Sequence, residues 1–296
     1  MGDALVDLRE RLIAAALGVG PETLNSPAQA PAATRALSPD RELVRAMRRL
    51  KAEGMDESGE QVDYARLRSS AAYADFHSDL ASRLVNFYPA ALASREARLA
   101  FWINLYNALV LDAAIAFGVR RSVTEGRLGV LAFFRRAAYT VGGRRMSAND
   151  IEHGILRRNR PHWSLPGPAF GPSDARLTWA PPVFDPRVHF ALNCASRSCP
   201  AIGVYDASAM DEQLELAARH FIASEVAIDP ARGQVRASKI FSWYQADFGG
   251  RAGLISLWLR YLPESDGRRW LAAHAANARI TFAPYDWSLN AKDPPS

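Results

Sequence analysis

One long segment constrains the fold more than any other part of this sequence. From Ser94 to Phe117 the pattern predicts a single helix, with Ser94 as its N-cap and Gly118 just beyond its end. Between Leu99 and Ile115 this segment is apolar nearly all round. A helix without a polar face has to be surrounded by other elements, so we expect it at the centre of the protein.

Shorter helices and strands are predicted around this helix. Together they indicate an α+β fold, with many helices around a small mixed or antiparallel sheet. Further helices are predicted near the N-terminus and over residues 40–53, 64–87, 148–158, 208–223 and 241–260. Strands are predicted as a hairpin over residues 138–146, and over residues 184–192, 234–241 and 279–283.

The domain organisation follows from a change in composition. Residues 21–40 are rich in Pro, Ala, Ser and Thr, which is typical of a linker. Before them, Leu5, Leu8 and Leu12 share one face of a predicted amphipathic helix. We therefore predict a helical extension over residues 1–58 and a single domain over residues 59–296.

Composition and charge narrow the classes of partner. A hydrophobic fraction of 49% is ordinary for a globular protein, and the net charge of +5 comes without any basic run longer than two residues. Nucleic-acid binding is therefore not indicated. We find no apolar segment of membrane-spanning length and no basic start of a secretory signal, so we expect a cytoplasmic protein with no membrane partner.

Both cysteines of the chain lie in one stretch, VHFALNCASRSCPAIGVY, which runs from Val188 to Tyr205. An apolar run leads into a polar loop there. This pattern is typical of a buried strand whose end carries the side chains of a functional site. His189 precedes the cysteines Cys194 and Cys199, and the polar residues Asn193 and Ser196 are interleaved with them.

The spacing of the two cysteines leaves several states open. A disulfide is geometrically possible but unusual in the cytoplasm. A metal site could recruit His189 or His153, but no second cysteine pair exists, and we expect no metal. A reactive thiolate with a histidine base would be a nucleophile. Two inert, buried thiols are the structural alternative.

Two of the predicted helices also carry polar residues that are candidates for a functional site. Asn104 and Asn107 share one face of the central helix, where they either tie down a neighbouring loop or orient a substrate. In the predicted helix over residues 148–158, Glu152 faces the apolar arc and His153 faces away, since consecutive residues diverge by about 100°. This pair fits acid–base chemistry, or Glu152 pairs with an arginine.

The C-terminal third adds an aromatic and acidic cluster. Trp243, Tyr244 and Asp247 follow a predicted strand, and Tyr285, Asp286 and Trp287 close the fold. Such aromatic residues are commonly packing anchors. Either acid could instead orient a histidine, as the third member of a catalytic triad does.

These motifs together resemble the domain of unknown function 547 family. The matching stretches are VDYARL from Val62, FWINLYNAL from Phe101, IEHGILR from Ile151, HFALNCASRSCPAI from His189, KIFSWYQADF from Lys239 and FAPYDWSLN from Phe282. The resemblance spans roughly residues 60–290 and implies fold membership without an assigned reaction. Where the family usually has glycine after the first cysteine, this chain has Ala195, although glycine permits backbone conformations that alanine avoids.

The leading hypothesis is a thiol-dependent hydrolase or acyl transferase for an amide or thioester. Cys194 or Cys199 would be the nucleophile and His189 or His153 the base, with no cofactor. Glu152 or Asp286 would orient the histidine base. Asn104 or Asn107 would polarise the carbonyl of the substrate. Further candidate substrate contacts are Asn193, Ser196, Asp247 and Tyr285. The alternatives are a binding or scaffold module and a thiol redox protein. The ligand would be a small molecule or peptide, and the oligomeric state is not predicted.

Overall fold

The computed structural model describes residues 2–25, 39–125 and 129–292. Most of the predicted linker therefore lies outside the described residues. The predicted boundary at residue 58 stays a prediction.

Helices make up most of the described part of the chain. The α-helices are Asp3–Ala16 (α1), Pro39–Gly54 (α2), Tyr64–Arg68 (α3), Ala71–Asp75 (α4), Ala81–Arg83 (α5), Arg95–Ala116 (α6), Gly129–Arg136 (α7), Met210–Glu225 (α8), Lys239–Trp243 (α9), Gly250–Tyr261 (α10) and Asp266–His274 (α11). Phe76–Leu80 and Asp150–Leu156 are π-helical, and the 3₁₀ turns are Leu84–Asn86, Pro89–Ala91, Ala175–Trp179, Pro186–Phe190 and Ala207–Ala209.

The strands form two small sheets, which confirms the predicted α+β class. Ala138–Val141 (β1) and Arg144–Ser147 (β2) make the predicted antiparallel hairpin. Its turn consists of two glycines with φ of 54° and 71°, the positive values that a two-residue hairpin turn requires. In the second sheet, Val226–Asp229 (β3) pairs antiparallel with Gln234–Ala237 (β4), and β4 pairs parallel with Arg279–Phe282 (β5).

Helix α6 lies at the centre, as predicted. The Ser94 hydroxyl caps it by accepting a hydrogen bond from the N–H of Ala97 (3.0 Å), and every residue from Leu99 to Ile115 is buried. Contrary to expectation, α6 is long and apolar enough to cross a membrane, but 94% of its most apolar window is buried inside the structure. Because α2, α8 and the π-helical turn Asp150–Leu156 pack around it, α6 has the surroundings of a core helix.

Helix α1 forms where predicted, but its leucine face is turned outward. Leu5, Leu8 and Leu12 are between 54% and 62% exposed, whereas Val6 is buried. The guanidinium of Arg9 donates hydrogen bonds to the carbonyl oxygens of residues 166 and 168. Helix α1 therefore attaches to the rest of the chain through its opposite face.

Helix α2 packs against α6 and completes the main core. Leu43 and Met47 are fully buried there. We expect Met47→Ala to lower the free energy of unfolding by about 2–5 kcal/mol, because the shortened side chain leaves a cavity that the core fills only partly. Urea unfolding measures this change. The exposed Arg45 on the same helix provides the control, and Arg45→Ala should cost less than about 0.5 kcal/mol. Equal effects of the two substitutions would contradict the core position of α2.

Several local predictions are wrong, and three of them concern elements next to the candidate site. The predicted strand over residues 184–192 is absent, because Asp185 accepts a hydrogen bond from the N–H of Arg187 (3.0 Å) and Pro186 presets φ, which together start the 3₁₀ turn. The predicted helix over residues 241–260 is broken where Gly249 and Gly250 take φ of 84° and 71°. The predicted α-helix over residues 148–158 is π-helical from 150 to 156.

Candidate functional site

A pocket of about 70 Å³ holds many of the residues that carry the predicted chemistry. Its walls come from α6, α7, α9 and the π-helical turn Asp150–Leu156, and from three irregular stretches. These are the loop that carries His162 and Trp163, the loop over residues 191–205 with both cysteines (the cysteine loop), and residues 283–292 (the C-terminal segment). The predicted site residues that line it are Glu152, His153, His189, Cys194, Cys199 and Tyr285. The predicted site residues outside its lining are Asn104, Asn107, Asn193, Ser196, Asp247 and Asp286.

Cys194 and Cys199 are joined by a disulfide bond. Of the states that their spacing leaves open, the disulfide is the one formed in this structure. The loop between them turns at Ala195, which takes a left-handed φ of 61° and whose N–H donates to the side-chain oxygen of Asn193 (2.8 Å). Alanine pays a conformational penalty of about 1 kcal/mol there that glycine would avoid. A nucleophilic role for either cysteine stays a prediction for the reduced chain.

The hydroxyl of Tyr285 lies against both sulfurs of the disulfide. It is 3.1 Å from Cys194 Sγ and 3.1 Å from Cys199 Sγ, and it accepts a hydrogen bond from Ser196 Oγ (3.1 Å). Because a disulfide sulfur carries no hydrogen, the tyrosine is the donor. Burial raises the pKa of Tyr285, so the hydroxyl keeps its proton at neutral pH. The N–H of Cys194 also donates to Cys199 Sγ (2.9 Å), and such donors would stabilise a thiolate after reduction.

The two buried amides on α6 hold the ends of the cysteine loop. Asn104 donates to the carbonyl oxygen of Tyr205 (2.7 Å) and accepts from its N–H (3.0 Å). Asn107 donates to the carbonyl oxygen of Ala191 (3.0 Å) and accepts from the N–H of Asn193 (2.9 Å). These contacts match the loop-anchoring role that the sequence left open, and substrate contact by these amides stays a prediction.

The C-terminal segment closes the other side of the cysteine loop. The N–H of Asp286 donates to Ser198 Oγ (2.9 Å), and the N–H of Asn290 donates to the carbonyl oxygen of Ala195 (3.2 Å). The carboxylate of Asp286 is exposed and accepts from the N–H of Ser288 (2.8 Å). Asp286 therefore shapes this loop contact. Of the two acids Asp247 and Asp286, it is Asp247 that contacts a histidine.

Glu152 and His153 both face the pocket because the turn that carries them is π-helical. The N–H of Arg157 bonds to the carbonyl oxygen of Glu152, five residues back (2.8 Å), and this wider turn lets consecutive side chains point in more similar directions. Glu152 accepts hydrogen bonds from the hydroxyls of Tyr106 (3.2 Å) and Tyr244 (2.5 Å). His153 Nε2 lies 4.0 Å from Glu152 Oε1.

A second histidine is held by a buried carboxylate. His189 Nε2 is 2.8 Å from Asp247 Oδ2, and the His189 ring stacks on Tyr244 with centroids 3.9 Å apart. Arg157 donates to the same oxygen (2.6 Å), and Arg160 donates to the other one (3.0 Å). Burial alone would raise the pKa of Asp247, but the hydrogen bonds from His189 and Arg157 outweigh it and hold the pKa well below its usual range. Asp247 is therefore ionised at neutral pH.

The histidines around the pocket are neutral at pH 7, because burial lowers the pKa of each. The pKa of His153 is lowered further by Arg157, whose Nη1 lies 2.6 Å from His153 Nδ1. Burial also lowers the pKa of His189, despite its carboxylate partner, and burial with Arg135 and Arg157 lowers the pKa of His162 to about 3. Within residues 2–25, 39–125 and 129–292, no group of three or more His, Cys, Asp or Glu could hold a metal ion.

One side of the pocket is an aromatic wall of Trp163, Trp243, Tyr285 and Trp287. Trp163 stacks on Trp243 with centroids 4.8 Å apart, and Trp243 contacts Tyr285 at 4.7 Å. Trp287 contacts both Trp243 (5.6 Å) and Tyr285 (4.5 Å). Trp163 is 39% exposed and stands at the edge of the pocket. The wall therefore presents aromatic faces next to the disulfide.

Sequence reasoning missed several of these residues. Tyr106 and Arg157 lie inside the quoted motifs FWINLYNAL and IEHGILR, and a search for hydrogen-bond partners of the inward-facing Glu152 could have drawn attention to Tyr106. His162 and Trp163 lie in the proline-rich stretch over residues 159–187, where no periodicity indicates a direction for any side chain.

Comparison with known proteins identifies the family of the central part of the chain. Residues 90–222 match the family model described as "Protein of unknown function, DUF547". The matched stretch contains the motifs that begin at Phe101, Ile151 and His189, so the family resemblance is confirmed. No curated protein and no solved structure matches the chain.

Proposed function

We propose that this DUF547-family chain carries out thiol–disulfide exchange, with Cys194 and Cys199 as the redox pair. One observation carries the proposal: the disulfide forms part of the pocket wall, with the Tyr285 hydroxyl against both sulfurs. Both cysteines are partly exposed, so a partner sulfur can approach them. Exchange needs such access together with groups that stabilise a thiolate.

The proposed reaction has two steps. One cysteine thiolate attacks a sulfur of a substrate disulfide R–S–S–R, which forms a mixed disulfide and releases RS⁻. The second cysteine then attacks the cysteine sulfur of that mixed disulfide and releases the second RS⁻. In total the two cysteine thiols lose two electrons and two protons, and the substrate gains them as two thiols. The Tyr285 hydroxyl can donate to a thiolate at either cysteine, and the N–H of Cys194 donates to a thiolate at Cys199.

A cytoplasmic location is part of the proposal. Cellular thiol systems keep cysteine pairs reduced there. The disulfide would then be the transient, oxidised state of the cycle, and the dithiol would be the resting state.

The proposal predicts a redox midpoint within the range of exchange-active pairs. We expect the Cys194–Cys199 pair to be half reduced between about −270 and −120 mV, whereas structural disulfides have potentials below about −300 mV. Equilibration in thiol buffers, followed by alkylation and mass spectrometry, measures the reduced fraction. A pair that stays oxidised below about −300 mV would contradict exchange and favour a structural disulfide in a binding or scaffold module.

Tyr285→Phe sharpens this experiment because it keeps the ring and removes the hydroxyl. Loss of one hydrogen bond to a thiolate, worth about 1.5 kcal/mol, should shift the midpoint about 30 mV lower. The matched control is Tyr88→Phe, since Tyr88 is 57% exposed and does not line the pocket. Its midpoint should equal that of the unmodified chain.

A thiol-dependent hydrolase or acyl transferase is the second candidate, for the reduced chain. The presence of Glu152, His153 and His189 in the same pocket as the cysteines favours it. In the described residues the sulfurs bond to hydroxyls and a backbone N–H, and no histidine donates to or accepts from them. Thioester hydrolysis that requires reduction and is lost in one of the variants Cys194→Ser and Cys199→Ser, the one that lacks the nucleophile, would support this candidate.

A further inference from the structure

We infer that the pocket binds a cationic amine beside the disulfide, so that the substrate is an amine-bearing thiol or disulfide. This inference rests on the proposed exchange function and adds the chemical class of its substrate. Four features carry it: the carboxylate of Glu152, the aromatic wall, the engagement of the nearby arginines, and the presence of Glu152 and the disulfide in the same pocket.

Glu152 has no cationic side-chain partner among the described residues. Its hydrogen bonds come from the neutral hydroxyls of Tyr106 and Tyr244, whose pKa values are raised by burial and by Glu152 itself. The nearest basic nitrogen is His153 Nε2 at 4.0 Å, and burial keeps that imidazole neutral. The two tyrosines thus fix the position of the carboxylate, and within the described residues no arginine or lysine contacts it.

The aromatic wall suits a positive charge. Trp163, Trp243 and Trp287 line the pocket that contains Glu152. Ammonium groups bind to indole rings through cation–π attraction, and this attraction is stronger where water is excluded. A carboxylate and three tryptophan side chains in one pocket therefore favour a cation.

The arginines near the pocket are already engaged. Arg157 donates to Asp247 and to the carbonyl oxygen of Pro161 (2.7 Å), and its guanidinium lies over the Tyr244 ring at 4.8 Å. Arg135 donates to Asn149 (3.1 Å) and to Glu10 (3.4 Å). Neither arginine forms an ion pair with Glu152 within the described ranges, so this carboxylate is available to a ligand.

The sulfurs and Glu152 belong to the same pocket. Cys194, Cys199 and Glu152 all line it, and the Tyr285 hydroxyl, which touches both sulfurs, lines it too. A cavity of about 70 Å³ has room for a short aminoalkyl arm, since one water needs roughly 10–15 Å³ on the same measure.

Three small disulfides with ethylene arms test the inference. Cystamine is cationic, 2-hydroxyethyl disulfide is neutral, and 3,3′-dithiodipropionate is anionic. The full chain is reduced and freed of reductant, and the rate at which each disulfide oxidises the Cys194–Cys199 pair is measured by quenched alkylation and mass spectrometry. Each rate is divided by the rate with free dithiothreitol, which removes intrinsic reactivity. We expect cystamine to react at least about tenfold faster than the neutral disulfide, and the anionic one to react slowest.

Variants assign this preference to the pocket. In Glu152→Gln the ratio of cystamine to neutral rates should fall to about one, while Glu212→Gln, at an exposed position on α8, should keep the full ratio. Should Glu152→Gln fail to fold, Trp163→Leu, at the exposed edge of the pocket, should lower the same ratio because it removes one indole ring.

The outcomes separate the two proposals. Equal normalised rates for the three disulfides would overturn the amine inference and leave the exchange function intact. A reduced chain that none of them oxidises would overturn the exchange function, and the inference with it.

Discussion

Asp247→Asn should lower the free energy of unfolding by about 3–5 kcal/mol, an effect as large as any that a single substitution in this chain is expected to have. The carboxylate of Asp247 is only 3% exposed and receives hydrogen bonds from Arg157, Arg160 and His189. Arg157 is itself only 5% exposed. With a neutral amide at position 247, the charge of Arg157 would be buried without a countercharge. This unpaired charge accounts for most of the expected loss of stability.

Urea unfolding at pH 7 measures this change, and two further variants isolate its cause. Asp266→Asn breaks an exposed ion pair with Arg269 and should cost less than about 1 kcal/mol. The double variant Asp247→Asn with Arg157→Gln should recover part of the loss, because no unpaired buried charge remains. A cost below about 1 kcal/mol for Asp247→Asn alone would mean that the network is not a stabilising element.

Elements with a strong local signal are predicted well from this sequence. Helix α6 has a serine cap and a long apolar run, and the β1–β2 hairpin has two glycines at its turn, so local chemistry determines both. The stretch over residues 184–192 misleads because its apolar run is typical of a strand, whereas Asp185 and Pro186 start a helical turn. The apolar run reports burial, and burial alone does not distinguish a strand from a buried turn.

The candidate pocket is predictable in part of its lining but not in its contacts. The motif residues Glu152, His153, His189, Cys194 and Tyr285 do line one pocket. Their pairing depends on two features that have no periodic signature, the π-helical turn at 150–156 and the interruption between α9 and α10. An α-helical spacing separates Glu152 from His153, and only the wider turn brings both side chains to the pocket.

Lowering the pH from 7 to 5 should destabilise the protein through its buried, neutral histidines. The pKa of His153 is well below its ordinary value because of burial and the neighbouring Arg157. A histidine in the unfolded chain has a pKa near 6.5, so below that pH the unfolded state binds a proton that folded His153 does not. The stabilisation of the folded state by neutral, buried His153 is therefore complete above about pH 6.5, and it is lost as the pH falls below that value. One such histidine contributes a loss of about 2 kcal/mol at pH 5.

The variant His153→Asn isolates this contribution. The amide can still accept the hydrogen bond from Arg157 but does not titrate, so the variant should lose about 2 kcal/mol less than the unmodified chain between pH 7 and pH 5 in urea unfolding.

Comparing the two chains cancels the contributions of other titrating groups. One of these is His77, whose pKa is raised by its hydrogen bond to Asp112 and which therefore stabilises the folded state in acid. Asp247 does not interfere, since a carboxyl of lowered pKa loses its contribution only below about pH 4. An identical loss in His153→Asn and in the unmodified chain would mean that His153 accepts a proton in the folded state, and the pocket would then hold a positive charge beside Glu152 in acid.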